Sequence, residues 1–221
     1  MGFFDYSYSI RDRIAQDFKT TLYMLFFSAI FAGIFGLILG VIMVVTDRDR
    51  ILENKVVYSI LDKLTNIFRS IPFVILVALV APITKNIVNT RIGPKAAIVP
   101  LVFSCVPFFA RQVEQALADV DPGKIEAAEA MGASPFQIIT SVYLREGLPS
   151  IIRASSITLI SLLSLTAMAG LIAGGGIGDL AIAVGYQRYK DDVVVVSVIL
   201  ILVVVFIIQA VANLLIRKTS H

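Results

Sequence analysis

The run GGGIGD at 174–179 is the one stretch that invites a phosphate-binding reading. A glycine-rich turn cradles phosphate when it follows a strand and opens a helix, so that bare N–H groups point at the anion. Here the run follows an apolar stretch outside any βαβ unit, and GxxxxGK[ST] occurs nowhere in the chain. The sole histidine, His221, is terminal, so a histidine-based triad or metal centre has no material. The only cysteine, Cys105, lies in an apolar run, where it forms no internal disulfide and suits packing. The chain is therefore expected not to be an enzyme by itself, with no catalytic, cofactor-binding or metal-binding residue of its own. Any energy source must be external.

The elements that surround these residues are greasy. Of 221 residues, 57% are hydrophobic and 16% charged, with a mean hydropathy of +0.87. A soluble domain of this size needs more polar surface. Charge-free runs cover 20–46, 70–84, 96–110, 154–178 and 193–216. A bilayer core of about 30 Å takes about 20 helical residues. Three runs exceed that outright, and the other two extend past Arg69 and Arg111, whose long side chains reach the headgroups. The expectation is an all-α polytopic membrane protein with five transmembrane helices, at about 20–45, 64–84, 94–115, 149–173 and 192–216. Residues 1–19 hold six charges, and Tyr6, Tyr8 and Phe18 there suit an interfacial segment rather than a cleaved leader. Residues 20–216 make the membrane domain and 217–221 a tail. No interleaving of basic and aromatic residues suggests nucleic acid; the expected surroundings are a lipid bilayer. Counting cations on the two sides of five spans gives nine against eight, which decides little about orientation.

Between the third and fourth spans, residues 116–148 are polar. Asp121-Pro122 offers an N-cap and a proline at the first helical position. A helix rich in Ala and Glu follows, and Gly132 suits a left-handed terminator. Ser134-Pro135-Phe136-Gln137 then matches a capping box that opens a second helix. Ala127, Ala128 and Ala130 give the first helix a small-residue face that permits close approach. Two capped helices joined at a glycine make a stiff knob, suited to docking in a partner's groove.

Glu126-Ala127-Ala128, with Gly132, Val142 and Leu144, resembles the coupling-loop signature of bacterial ABC importer permeases. The chain departs from it at Arg145, where the pattern usually has proline, so the second helix is expected to continue through that position. FRSIPF at 68–73, VPFFARQVEQAL at 106–117, TAMAGLIAGGGIGDLA at 166–181 and GYQRY at 185–189 extend the likeness to permeases of methionine-type ABC importers. The resemblance implies a bacterial inner-membrane subunit that forms the translocation pathway. It implies a second copy of the chain, two separate ATPase subunits that bind ATP and Mg, and an extracytoplasmic substrate-binding protein. It also places the loop and the C-terminus in the cytoplasm and the N-terminus outside. On this reading Glu126, Ala127, Ala128, Met131, Gly132, Ser134 and Pro135 contact the ATPase. Nothing in the spans specifies a thioether, so another amino acid or small organic solute is the alternative cargo. A non-transporting scaffold or passive channel is the rival from a different class.

The fourth span carries small or weakly polar residues, and Ser161, Ser164, Met168 and Gly170 are its candidate pathway or gate positions. Met168 has the soft, flexible side chain that can close a seam, although any single Met can simply pack. Asp179, Gln187, Arg188 and Tyr189 are expected at an outer rim. Gly33, Gly36 and Gly40 share one helix face and permit close packing, within the subunit or between two. Gln209 and Asn213, four apart, are amides that need partners in lipid. Arg111 and Glu114, three apart, are expected to pair.

Overall fold

The structure is a computed structural model that describes residues 4–219. Its α-helices, in chain order, are α1 Asp5–Ser9, α2 Arg11–Thr46, α3 Lys55–Ser70, α4 Phe73–Val88, α5 Pro94–Ala118, α6 Pro122–Ala130, α7 Pro135–Ile138, α8 Leu144–Glu146, α9 Leu148–Ala169, α10 Ile177–Asp179 and α11 Asp191–Thr219. Three π-helical stretches join some of them, at Ile139–Tyr143, Gly170–Gly174 and Leu180–Tyr186. No strand occurs among the described residues. The helices α2 and α5, the run Leu148–Ile172 and α11 are each long and apolar enough to cross a bilayer, and the pair α3 with α4 makes a fifth crossing if its two halves are one span. The chain is thus an all-α polytopic membrane protein.

One boundary differs from the sequence reading. The stretch 64–84 is not one helix: α3 ends at Ser70 and α4 begins at Phe73. Pro72 lacks an N–H and disfavours the helical region for Ile71, so the chain leaves the helix there and Pro72 caps the next one with ψ 135°. Hydropathy passes over this break because every residue from 70 to 84 is uncharged. At the N-terminus, α2 begins at Arg11 and runs unbroken into the apolar stretch.

The chain divides into two compact units. The first comprises Met1–Phe31, Ile71–Ser104 and Leu159–Gln209. Ile14, Ile177, Leu180, Val184 and Val193 form a buried cluster there, with Tyr6, Ile10 and Phe18 packed against it. Asp192, at the start of α11, accepts from the Ser7 amide at 2.6 Å and the Ser7 hydroxyl at 2.7 Å, so α1 is tied down. The Ile177 amide donates to Thr21 Oγ1 at 2.9 Å. Gly176, with φ +89°, has no room for a Cβ because Thr21 Oγ1 would lie 2.6 Å away. The glycines of GGGIGD therefore serve close backbone packing, Gly176 against α2 and Gly174 and Gly178 against the end of α9. Gly178 is the tightest of them: a Cβ there would stand 2.2 Å from the Ala167 carbonyl oxygen. Gly178→Ala is expected to cost about 1–3 kcal/mol, the range for overpacking that backbone cannot yield to. A fall in the thermal midpoint of the purified chain in detergent checks this.

The second unit comprises Ala32–Ser70, Cys105–Thr158 and Ala210–His221. Its core joins Val44, Phe109, Val113, Leu117, Ile125, Ala128, Ile138 and Tyr143. Gly36 lies against Phe109 and Gly40 against the Ala110 carbonyl and Val113, so these two glycines serve packing within the chain. A Cβ at Gly33 would meet nothing within 4 Å. Gly147 keeps a right-handed backbone at φ −75°, and glycine is needed there because Leu117 and the Tyr143 carbonyl would crowd any side chain.

Candidate functional site

The polar hairpin is built from local bonds. Asp121 Oδ1 accepts from the Gly123 amide at 2.9 Å and opens α6, with Pro122 at the first position. Gly132 adopts φ +80° and reverses the chain. At α7 the capping box is closed in both directions: the Gln137 amide donates to Ser134 Oγ at 3.4 Å, and the Ser134 amide donates to Gln137 Oε1 at 2.8 Å. Such caps are worth about 1 kcal/mol each, which fixes short helices that are marginal alone. Lys124 of α6 pairs with Glu146 of α8 and staples the two limbs. The hydrogen bond to Glu146 raises the Lys124 ammonium above its ordinary value.

Which side chains face outward is specific. Glu126, Ala127, Met131, Gly132, Ser134 and Pro135 are exposed, whereas Ala128 is buried with Ile125 in the core. Ala128 thus holds α6 to the rest of the unit and leaves the outward face to its neighbours. Met131 is 81% exposed and Phe136 73%, on a loop outside the apolar spans. Two large apolar side chains in water at the tip of a stiff element mark a contact surface.

The helix after Ser134 does continue through Arg145, but through a π-helical turn at Ile139–Tyr143. Thr140 Oγ1 donates to the Phe136 carbonyl at 2.9 Å, and Ser141 Oγ to that of Gln137. Hydroxyls that bond back to the preceding turn loosen the helical ladder. The extra residue in the turn delivers Tyr143 to the core, where it is fully buried.

In the first unit, Ser161, Ser164 and Met168 lie three and four apart on α9. Ser164 and Met168 are exposed and Ser161 half-buried, so they share an open face. Gly170 is not part of that face. It is buried where a Cβ would stand 2.6 Å from the Gly175 carbonyl oxygen. A cavity of about 40 Å³ lies beside Thr84, Pro100, Ala169 and Gly174. Its size suits one water rather than a solute. Gln187, Arg188 and Tyr189 are exposed, and Tyr189 takes φ +54° at 90% exposure. Asp179 stands apart from them: it is half-buried and lies 3.8 Å from the Arg13 guanidinium of α2. Gln209 and Asn213 are both exposed in the single chain.

One cluster exceeds what its sequence suggests. Arg111 pairs with Glu114 at 2.7 Å, as the spacing predicts. The same guanidinium also reaches Asp62 of α3, and Tyr58 donates to Glu114 at 3.0 Å. Asn66 donates to Asp62 at 3.1 Å. Arg111 is 15% exposed and Glu114 9%, so this network is a buried ionic tie between α3 and α5. Arg69, by contrast, is exposed and makes no ion pair among the described residues. The partners of Arg111 on α3, Asp62 and Asn66, lie 49 and 45 residues away and carry no local signal.

Comparison with known proteins gives these surfaces a setting. Residues 32–221 match the family described as "Binding-protein-dependent transport system inner membrane component". The chain is 44% identical over 201 residues to the probable D-methionine transport system permease protein MetI of Vibrio cholerae, covering 91% of this chain and 89% of that protein. It is 45% identical over 174 residues to the methionine import system permease protein MetP of Bacillus subtilis, covering 79% and 78%. A solved structure titled as inward facing conformations of the MetNI methionine ABC transporter superposes with a TM-score of 0.93 at 39% identity, over 96% of this chain and 99% of that one.

Proposed function

The chain belongs to the family of binding-protein-dependent transport system inner membrane components, and from that premise we propose that it is the membrane-spanning subunit of an ATP-driven methionine importer. The observation that carries this reading is the capped hairpin, which presents Met131 and Phe136 to water outside the apolar spans. The names of its relatives supply the cargo.

On this reading the hairpin docks in a groove of a separate ATPase, one per copy of the chain, and ATP and Mg bind there. A second copy completes the pathway. The exposed amides of Gln209 and Asn213, on an otherwise apolar helix, favour such a protein neighbour over lipid. Substrate arrives from a binding protein at the rim formed by Gln187, Arg188 and Tyr189. The open face of α9 at Ser161, Ser164 and Met168 lines the pathway, with Met168 as its gate. The N-terminus lies outside and the C-terminus in the cytoplasm, with spans near 20–45, 94–115, 149–173 and 192–216 and a broken one at α3 and α4.

The hairpin's task is a population shift. Moving a two-state pathway from 1:99 to 99:1 takes about 5.5 kcal/mol of differential binding. A loose loop dissipates such a bias in its own rearrangement. The Asp121 cap, the Ser134 box and the Lys124–Glu146 staple make this one rigid.

Two measurements test the reading. Cysteines in place of Met131 and Phe136 are expected to crosslink, in native membranes, to a subunit bearing a Walker sequence. Cells that rely on this chain are expected to take up labelled methionine, with competition by methionine and not by a panel of other amino acids. Failure of the crosslink overturns the importer; competition by a different amino acid replaces only the cargo.

A further inference from the structure

Two lysines mark the edge of the apolar zone in the first unit. Lys19 is the last charge before the run 20–46, and Lys95 the last before the run 96–110. Both therefore stand where hydrocarbon meets headgroup. Chain folding brings them to one place. A groove of about 480 Å³ lies between the start of α2 and the turn that precedes α5, and both lysines line it, with Gln16, Thr20 and Thr90. Neither ammonium has an ion-pair or hydrogen-bond partner among the described residues. Nor does the lining include a carboxylate.

A second groove, of about 620 Å³, adjoins the first and shares Lys19 and Tyr23 with it. Its remaining lining is apolar, including Leu22, Phe26 and Ala29 on one face of α2 and Ile208 of α11. Phe26 is 60% exposed. From Lys19 to Ala29 is ten residues, about 15 Å along a helix. The composite is cationic and hydrogen-bonding at one end and oily below.

We propose that this composite groove is a binding site for an anionic phospholipid of the surrounding bilayer. The anionic phosphate sits between Lys19 and Lys95, with Gln16, Thr20 and Thr90 as hydrogen-bonding neighbours. An acyl chain lies along Leu22, Phe26 and Ala29. Two unpaired cations at the headgroup level select charge, because a zwitterionic lipid brings its own ammonium to the same place. Gly93, at φ +97° in the turn, also lines the groove. This site does not depend on what the protein transports.

The test uses the full chain purified with its associated subunits, delipidated and titrated with phosphatidylglycerol or phosphatidylcholine of matched chains. Native mass spectrometry counts the bound lipids. The wild type is expected to retain phosphatidylglycerol about thirtyfold more tightly, the preference that two surface lysines supply. Lys19→Gln with Lys95→Gln is expected to abolish that preference. Lys63→Gln with Lys218→Gln, which removes the same charge elsewhere, is expected to keep it. Equal retention of the two lipids by the wild type overturns the proposal, as does equal loss in both double variants. A photoreactive phosphatidylglycerol on the wild type gives an answer independent of any variant's folding. Labelled peptides that include residues 19–29 support the site, and labelling confined to other segments rejects it.

Discussion

Arg111→Ala is expected to destabilise the protein by about 3–5 kcal/mol, the cost of removing one partner from a buried ion pair. The substitution leaves Glu114, which is 9% exposed, with only the Tyr58 hydroxyl, and Asp62 with only Asn66. Asp62 is 33% exposed, so water compensates part of its loss and the figure belongs at the lower end. The same arithmetic makes the reverse change mild. Glu114→Gln keeps the Tyr58 bond and leaves Arg111 with Asp62, and is expected to cost less than half as much. The measurement is the unfolding midpoint of each variant in one detergent, with uptake in cells alongside. Equal midpoints for wild type and Arg111→Ala would show that the network contributes nothing net. Since α3 has a largely exposed outward face, the tie through Asp62, Asn66 and Tyr58 is what gives that helix a fixed position on α5.

Gly132→Val is expected to reduce methionine uptake at least tenfold while ATP hydrolysis continues. Space is not the obstacle, because a Cβ at Gly132 meets nothing within 4 Å. The backbone is: φ is +80°, and a β-branched residue there costs roughly 1–2 kcal/mol or more. The elbow would relax to another angle, carrying Met131 and Phe136 out of register with the proposed ATPase groove. Gly132→Asn separates angle from bulk, since Asn tolerates the left-handed region. It is expected to retain most of the uptake. The ratio of transport to hydrolysis, measured in proteoliposomes, distinguishes uncoupling from loss of protein. Normal transport by the Val variant would remove the elbow from the mechanism.

How much of this was legible before the coordinates follows from the range of the interactions. The caps at Asp121 and Ser134 and the reversal at Gly132 form between residues at most three apart, so residue type and spacing suffice to read them. The Arg111–Glu114 pair is local too. Asp62 and Tyr58 are not, and nothing near them announces the partner. Ala128 illustrates a different limit: three alanines at 127, 128 and 130 look alike, and only packing against Ile125 and its neighbours decides which one turns inward. The break at Ile71-Pro72 was written in the sequence and outweighed by hydropathy, which counts charges and ignores the missing N–H. The π-helical turns left no trace, because an added residue in a helical turn changes no composition.

The clasp between Ser7 and Asp192 joins residues 185 apart in the chain. During synthesis the first helix emerges long before its acceptor exists. At about 5–20 residues per second, the gap is some 10–40 seconds. Throughout that interval the Ser7 amide and the buried faces of Tyr6 and Ile10 have no finished seat. The clasp therefore closes only once the start of α11 has been made, and the first helix must wait for it.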